Sequence, residues 1–313
     1  MHAIIESSRK LRTIGDFFRF AITCFAQDKV YVGHGTDTLE DEAWWLVAGA
    51  LKLPLHLEKS LFLQAKLTLG ERQHLAALIH SRSVDKVPTA YLLKEAYQHG
   101  YKFYVDDRVL IPRSPIAELI LRHCEPWAVP DSVTRILDLC TGSGVLAILA
   151  ALAFPNAEVD ASDLSSAALA VAEENVRDYE LAAQVHLQES NVFENLKDQK
   201  YDVIVSNPPY VDVHDLKSMP AEYHHEPKLA LESGVDGLDI VRKILAEAHA
   251  HLNPHGILIV EVGNSRPALE AAFPNLPFIW LDFESGGEGV FLLKAEDFLG
   301  ATSDILFPSN QSG

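Results

Sequence analysis

The sequence predicts an α/β protein with a mainly parallel sheet, preceded by a helical region. Two observations lead to this prediction. From Arg135 onward, short apolar runs alternate with longer amphipathic stretches, the order that places parallel strands between helices on both faces of a sheet. Before residue 88, apolar residues recur instead at steps of three and four, which is typical of packed helices. A chain of 313 residues is long enough for two domains.

We expect four segments along the chain. An N-terminal α-helical domain, residues 1–87, precedes a β-hairpin linker, residues 88–115. The α/β domain covers residues 116–298, and we expect the tail, residues 299–313, to be disordered.

Local patterns place the elements of the first two segments. Thr38, followed by acidic residues, predicts the start of a helix over Leu39–Leu51, and another helix is predicted over Thr68–Ser83. The β-rich runs Tyr101–Val105 and Arg108–Ile111 flank Asp106-Asp107, and this arrangement predicts a hairpin that turns at the two aspartates.

The α/β domain is predicted to contain seven strands, each a short apolar run that ends near turn-forming residues. The first five strands are predicted at Ile136–Cys140, Glu158–Ala161, Val185–Leu187, Tyr201–Ser206 and Ile257–Val262. A final antiparallel pair is predicted at Pro277–Leu281 and Gly289–Leu293. Helices are predicted at Ile116–Cys124, Val145–Phe154, Ser165–Asp178 (capped by Ser165) and Leu238–Leu252.

Composition limits the class of protein. A hydrophobic content of 48% and a charged content of 22% are those of an ordinary folded protein. No apolar run reaches the roughly 18 residues needed to span a bilayer, and we expect neither a membrane span nor a signal peptide. Because Cys24, Cys124 and Cys140 lie far apart, we interpret them as free thiols in a reducing, cytoplasmic environment.

The net charge of −18 argues against direct recognition of nucleic acid, because phosphate backbones must be neutralised by Lys and Arg. An acidic surface favours basic partners, although acidity also serves solubility alone. We expect no metal site, since the adjacent pair His224-His225 suits a surface loop better than a metal centre. The oligomeric state stays open.

A rigid turn follows the predicted strand Tyr201–Ser206. In Asn207-Pro208-Pro209-Tyr210, two prolines remove N–H donors and cannot continue the strand, so the chain must leave the sheet. The turn would present the Asn207 side chain, a backbone carbonyl and the Tyr210 ring to a cleft at the carboxyl ends of the strands. Two oxygen acceptors can bind both hydrogens of a planar –NH2 group. A plain Pro-Pro turn with a buried tyrosine is the alternative.

A second loop, residues 138–144, lies between the first strand of the sheet and a helix. Its small residues allow close approach of a ligand, and the helix start offers free N–H groups. No Lys-Ser/Thr follows its glycines, which argues against a Walker-type phosphate loop. Asp163 ends the second strand, where an acidic residue can bind ribose hydroxyls, so a dinucleotide site and an S-adenosylmethionine site both fit. Asn191, after the third strand, either reaches an adenine or starts a turn. The loop consists of Asp138, Leu139, Cys140, Thr141, Gly142, Ser143 and Gly144.

Together these motifs resemble class I S-adenosylmethionine-dependent methyltransferases that act on planar amino groups. The segments Ile111–Ile120 and Glu222–Pro227, with the helical N-terminal region, are similar to the HemK-type protein-glutamine N5-methyltransferases, over about Ile14 to Lys294. Within that family, the chain resembles most the branch that methylates the third protein of the large ribosomal subunit. The release-factor branch tends to carry Arg-Pro-Asp/Glu where this chain has Arg113-Ser114-Pro115.

The resemblance implies a Rossmann-like, seven-stranded domain that uses S-adenosyl-L-methionine, and an N-terminal domain that recognises the substrate. It implies that the substrate is a glutamine side chain of a large-subunit ribosomal protein. Where the family usually has Asp, this chain has Asn191, so the contact at that position is open. The implied catalytic residues are Asn207, Pro208 and Tyr210. The implied cofactor-binding residues are Asp138, Cys140, Thr141, Gly142, Ser143, Gly144, Asp163, Asn191 and Asn207.

The long segment between Val211 and Gly237 is acidic, with Asp212, Asp215, Glu222 and Glu226. We interpret these carboxylates either as a surface for a basic ribosomal protein or as a solvated charge run. For Arg113 and Glu118, contact with cofactor or substrate and a salt bridge that links the domains both fit.

Four other functions stay open. An adenine-N6 nucleic-acid methyltransferase shares the Asn-Pro-Pro-Tyr motif, but it would need a basic face. A release-factor glutamine methyltransferase, a non-catalytic ribosome-assembly factor and a nicotinamide oxidoreductase are the others.

Overall fold

The computed structural model describes residues 6, 8–55, 58–284 and 286–299. The tail predicted to be disordered is residues 299–313. From residue 300 onward it lies outside the described residues. The described chain divides into two compact units.

The first unit contains residues up to Tyr97, together with 105–107 and 220–225. The second unit contains residues 98–104, 108–219 and those from Glu226 onward. The division of the chain after residues 87 and 115 stays a prediction.

Helices build the first unit: α1 Ile14–Gln27, α2 Leu39–Ala50, α3 Leu69–Ser83 and α4 Thr89–Leu93. The side chains of Thr13, Thr38 and Thr68 accept hydrogen bonds from the backbone N–H groups of the first turns of α1, α2 and α3. The predicted helix start after Thr38 is confirmed. The apolar faces of α1, α2 and α3 meet in a cluster whose fully buried members include Phe17 and Leu46.

A buried charge network ties residues 220–225 to the helices of the first unit. Arg82 of α3 is 1% exposed. Its Nε donates to Glu42 Oε1 (2.5 Å), its Nη1 to Glu222 Oε1 (3.1 Å) and its Nη2 to the Tyr31 carbonyl (2.6 Å). The backbone N–H of Tyr31 also donates to Glu222 Oε1 at 2.9 Å. The interpretation of Glu222 as part of an exposed acidic surface is therefore wrong, because its carboxylate is buried against a guanidinium.

Two short strands, β1 Ala96–Gln98 and β2 Tyr101–Phe103, form a small sheet. The turn lies at His99-Gly100, where both residues have positive φ (47° and 83°), as a two-residue hairpin turn of type I′ requires. The predicted turn at Asp106-Asp107 and the predicted strand Arg108–Ile111 are wrong. Glycine adopts the left-handed conformation without strain, and the pair of aspartates offers no such residue.

The second unit is built on a seven-stranded sheet. Its strands are β3 Arg135–Leu139, β4 Glu158–Asp163, β5 Val185–Glu189, β6 Tyr201–Ser206, β7 Leu252–Glu261, β8 Ile279–Leu281 and β9 Val290–Lys294. They lie in the order β5-β4-β3-β6-β7-β9-β8. The strands from β3 to β7 are parallel, and β9 runs antiparallel to both β7 and β8. All seven strands were predicted, although β7 begins five residues before its predicted start.

Helices cover both faces of this sheet, because successive strand residues point to opposite sides. The helices are α5 Ile116–Leu121, α6 Val145–Ala153, α7 Ser166–Asp178, α8 Val213–Ser218, α9 Asp239–His251 and α10 Arg266–Ala272. In β6, Val203 and Val205 join the apolar cluster that contains α6, whereas Ile204 joins the cluster that contains α9. The sequence analysis missed α8 and α10. Within the described part of the chain, no helix is both long and apolar enough to cross a bilayer.

The buried network predicts that Arg82→Met lowers the free energy of unfolding by about 3–5 kcal/mol, because it leaves two carboxylates buried without their cation. Chemical denaturation measures the change. Arg72→Met is the matched control, since Arg72 lies on the same helix and is only half-buried. An equal, small loss for both variants would contradict a special role of the network.

Candidate active site

The site lies where the order of the strands reverses. From β3 the chain adds β4 and β5 on one side, and then β6 and β7 on the other. In such sheets, a crevice opens at the carboxyl ends of the two central strands. Here these strands are β3 and β6, and Leu139 pairs with Ser206 at their ends. The Ser206 hydroxyl donates to the Leu139 carbonyl at 2.8 Å.

The loop between β3 and α6 has a tightly defined backbone. Cys140, Gly142 and Gly144 all have positive φ, at 59°, 56° and 81°. A Cβ atom on Gly144 would lie 3.1 Å from the Cβ of Ala172, so this glycine allows α6 to pack closely against α7. A Cβ on Gly142 would meet no atom within 4 Å, so the backbone here is open to a ligand.

Asp138 holds the loop from within the protein and is 1% exposed. Its Oδ2 accepts hydrogen bonds from the Thr141 hydroxyl (2.5 Å) and the Ala147 N–H (3.1 Å). Its Oδ1 is buried and has no hydrogen-bond partner among the described residues. Burial raises the pKa of Asp138 to about 7, and the nearby charge of Asp163 acts in the same direction, whereas the two hydrogen bonds oppose the shift.

Asp163, the last residue of β4, links two loops. Its Oδ2 accepts from the Gly142 N–H (2.9 Å) and its Oδ1 from the Ser165 N–H (2.8 Å). Burial raises its pKa, and these hydrogen bonds oppose the shift. Asn191 is half-buried, and its side-chain oxygen lies 3.4 Å from Lys243 Nζ.

The structure brings most of the predicted site residues to one cleft with a volume of about 170 Å³. All the predicted cofactor-binding residues line it except Gly144, which caps α6 instead. Asn207 and Pro209 line the same cleft, whereas Pro208 is buried and Tyr210 is half-buried. Asn207 Oδ1 is buried and accepts no hydrogen bond from the part of the chain that the structure describes.

Tyr210 is anchored by a residue that the sequence analysis missed. Its hydroxyl donates to Glu261 Oε1 at 2.7 Å, and the Ser114 hydroxyl donates to Glu261 Oε2 at 2.6 Å. Burial raises the pKa of Glu261, whereas the two hydroxyl donors and the charge of Arg113 lower it. An acidic residue directly after the apolar run Ile257–Val260 of β7 was the available signal.

Arg113 makes a bidentate ion pair with Glu226. Nη1 lies 2.7 Å from Oε1 and Nη2 lies 2.8 Å from Oε2, and the Ile111 N–H also donates to Oε1 at 3.0 Å. Glu226 is buried, so its interpretation as part of an exposed acidic surface is wrong. The salt bridge of Arg113 lies within the second unit, and Arg113 also lines the cleft. Glu118 accepts from the Glu284 N–H at 3.1 Å.

Comparison with known proteins agrees with this architecture. The family model of the methyltransferase small domain matches residues 117–224. The crystal structure of the hMettl16 catalytic domain in complex with MAT2A 3′UTR hairpin 6 has a TM-score of 0.50 and 15% sequence identity, covering 72% of this chain and 81% of that one. The second unit thus has the Rossmann-like fold of class I methyltransferases.

Two similar proteins identify the family of methyltransferases more closely. The ribosomal protein uL3 glutamine methyltransferase of Neisseria meningitidis serogroup B is 48% identical over 297 residues, which are 94% of this chain and 97% of that protein. The protein of the same name from Burkholderia pseudomallei is 46% identical over 299 residues, which are 93% and 97% of the two chains. The chain belongs to the family of ribosomal protein uL3 glutamine methyltransferases.

Asp138→Asn is expected to flatten the pH dependence of stability of the ligand-free protein between about pH 4 and 7. The folded-state pKa of Asp138, about 7, lies above its usual value of 3.8, so in this range the folded protein holds a proton that the unfolded chain has released. Stability from this proton is fully present below about pH 4. It is lost as the pH rises towards 7, by up to about 1.4 kcal/mol per pH unit.

Urea unfolding at several pH values measures this slope. Asparagine does not titrate, so the variant should show a smaller decline than the wild type. The exposed Asp131 provides the control, Asp131→Asn. Equal slopes in the wild type and in Asp138→Asn would show that this carboxyl does not hold the proton.

Proposed function

We propose that this chain transfers a methyl group from S-adenosyl-L-methionine to the side-chain amide nitrogen, N5, of a glutamine in ribosomal protein uL3. The relatives that carry this activity in their names align with nearly the whole chain. The observation that carries the proposal is the buried Asn207 Oδ1, an acceptor that lines the cleft without a hydrogen-bond partner among the described residues. A glutamine carboxamide supplies two N–H donors, and one of them satisfies this oxygen.

The turn after β6 would bind the carboxamide. Asn207 Oδ1 accepts one N–H and the carbonyl of Pro208 accepts the other, which fixes the amide nitrogen at two points. The ring of Tyr210 restrains the amide plane. The prolines limit the movement of both acceptors, because each fixes its own φ and restricts the residue before it.

The loops after β3 and β4 would hold the cofactor. Gly142 leaves room for a ligand against the backbone, and Asp138 Oδ1 is a buried acceptor suited to an ammonium group. Asp163 retains lone pairs for ribose hydroxyls, because a carboxylate accepts about four hydrogen bonds and two are formed here. When bound, S-adenosyl-L-methionine supplies an electrophilic methyl group on a sulfonium, so the residues have only to position the nucleophile.

Positioning is the main chemical task, because the lone pair of an amide nitrogen is delocalised into the carbonyl. Hydrogen bonds from both N–H groups to oxygen atoms increase the electron density on nitrogen. Orientation towards an electrophile at contact distance is worth several kcal/mol of the barrier. The proton released from nitrogen passes to water, and we assign no general base.

The proposed substrate favours a reaction in the cytoplasm, where ribosomal proteins are made.

The two acceptors Asn207 Oδ1 and the Pro208 carbonyl would also bind the amino group of adenine, which has the same planar –NH2 geometry. The test of function therefore compares substrate classes.

Purified protein is incubated with S-adenosyl-L-methionine carrying a labelled methyl group, and with uL3, a release factor or duplex DNA in separate reactions. We expect label in uL3 alone, and mass spectrometry should place it on a glutamine side chain. Label in the release factor or in DNA, with none in uL3, would overturn the proposal. Absence of turnover on every substrate, with cofactor binding intact, would favour a non-catalytic role.

Asn207→Ala is expected to lower kcat by about 10²–10³, the loss seen when one preorganised polar contact to the reacting group is removed. Single-turnover methylation of uL3 measures the rate, and a thermal unfolding curve verifies the fold. Asn275→Ala, at an exposed position, is the matched control and should keep the wild-type rate. A wild-type rate in a folded Asn207→Ala protein would remove Asn207 from the mechanism.

A further inference from the structure

Tyr210 is held at its hydroxyl, along its ring and at its backbone carbonyl. Its hydroxyl donates to Glu261, and its carbonyl accepts a hydrogen bond from the Ser265 hydroxyl at 2.9 Å. The backbone of Gly263 lies against the ring, since a Cβ on Gly263 would be 2.7 Å from Tyr210 Cε2. A Cβ on Gly237 would lie 2.2 Å from the Tyr210 carbonyl oxygen. The ring therefore has little freedom to move.

The hydroxyl of Tyr210 is held by a carboxyl group that is buried at the end of an apolar run. Glu261 is 6% exposed and ends β7, after four apolar residues, Ile257–Val260. A carboxyl is costly to bury unless hydrogen bonds satisfy it, and here Tyr210 and Ser114 each bind one of its oxygens. An apolar residue would complete the core of the strand without this cost. The carboxyl is explained if the hydroxyl of Tyr210 must be fixed.

The register of the sheet links this carboxyl group to the turn after β6. Ser206 and Val260 are the last residues paired between β6 and β7, so Glu261 is the next residue of β7 as Asn207 is the next residue after β6. Strand pairing thus fixes the distance between the carboxyl of Glu261 and the turn that carries Asn207 and Tyr210.

We infer that Glu261 is a positioning residue for methyl transfer: it acts through the hydroxyl of Tyr210 and keeps the ring in the position that aligns the amide. This inference rests on the proposed function. Ser114 supports Glu261 by occupying its second oxygen. Because a displacement of about 1 Å in a reacting group can cost about 10²-fold in rate, a loosened ring should lower kcat.

The test compares Glu261→Gln, Tyr210→Phe and the double variant, with Glu270→Gln on the exposed face of α10 as the matched control. Glutamine keeps the shape of Glu261, but its neutral amide accepts from one hydroxyl group through oxygen and can only donate to the other through nitrogen, so the contact with Tyr210 loses its charge-assisted character. We expect kcat to fall about tenfold in each single variant, since Glu261→Gln weakens the hydrogen bond to the phenol and Tyr210→Phe removes it. KM for uL3 and the Kd for S-adenosyl-L-methionine should stay within about twofold of the wild type.

The double variant decides between positioning and general damage. If Glu261 acts through the phenol, the double variant should be no slower than Tyr210→Phe, because that variant already lacks the hydroxyl. If the losses in kcat of the two single variants multiply in the double variant, the inference is overturned. A fall in cofactor affinity together with kcat would also overturn it. If Glu261→Gln does not fold, Tyr210→Phe still tests the idea, since a wild-type kcat in that variant would contradict it.

The two proposals fail in different ways. An incorrect substrate assignment appears in the wild-type protein, which would then label a substrate other than uL3. The four variants would be compared on that substrate. An incorrect role for Glu261 appears only in the ratios among variants.

Discussion

The parallel pairing of β3 with β6 is the constraint on which the site depends. Adjacent parallel strands end at the same edge of a sheet, so the loops that follow them meet, although they are more than 60 residues apart in the chain. Leu139 and Ser206 are the last paired residues, and the bond from the Ser206 hydroxyl to the Leu139 carbonyl joins the two strand ends. β4 and β7 pack outside this pair and add Asp163 and Glu261 at the same edge.

Sequence reasoning succeeded where a local pattern decides the structure. β6 was predicted to the residue, because an apolar run stops where two prolines forbid its continuation. The hairpin was predicted in the wrong place, because β-rich composition does not by itself make a strand, whereas the glycine of His99-Gly100 permits the left-handed backbone of the turn. Glu222 and Glu226 were misread for a different reason: their partners, Arg82 and Arg113, lie 140 and 113 positions away, and no local pattern reveals such pairs. Glu261 escaped notice likewise, since its importance comes from Tyr210, 51 positions earlier.

The electrostatics of the cleft favour one class of cofactor. Asp138 and Asp163 line it, and burial raises the pKa of both. Two carboxyl groups in a poorly solvated cleft disfavour an anionic ligand such as a pyrophosphate, which dinucleotide sites bind on free N–H groups at a helix start. Here the Gly142 N–H is already bonded to Asp163. A ligand with sulfonium and ammonium groups is better matched, which argues against a nicotinamide oxidoreductase.

Two asparagine side chains differ in whether the fold satisfies their buried polar atoms. Asn175 is 1% exposed and fully bonded: its oxygen accepts from the Tyr104 N–H, and its amide donates to the carbonyls of Tyr104 and Ser143. Asn207, in contrast, keeps a buried oxygen without a partner within the described chain, at an expected cost of about 1–3 kcal/mol. Buried polar atoms of this kind are rare in folded proteins. Under the proposed function, an N–H of the substrate carboxamide would supply the donor that this oxygen lacks.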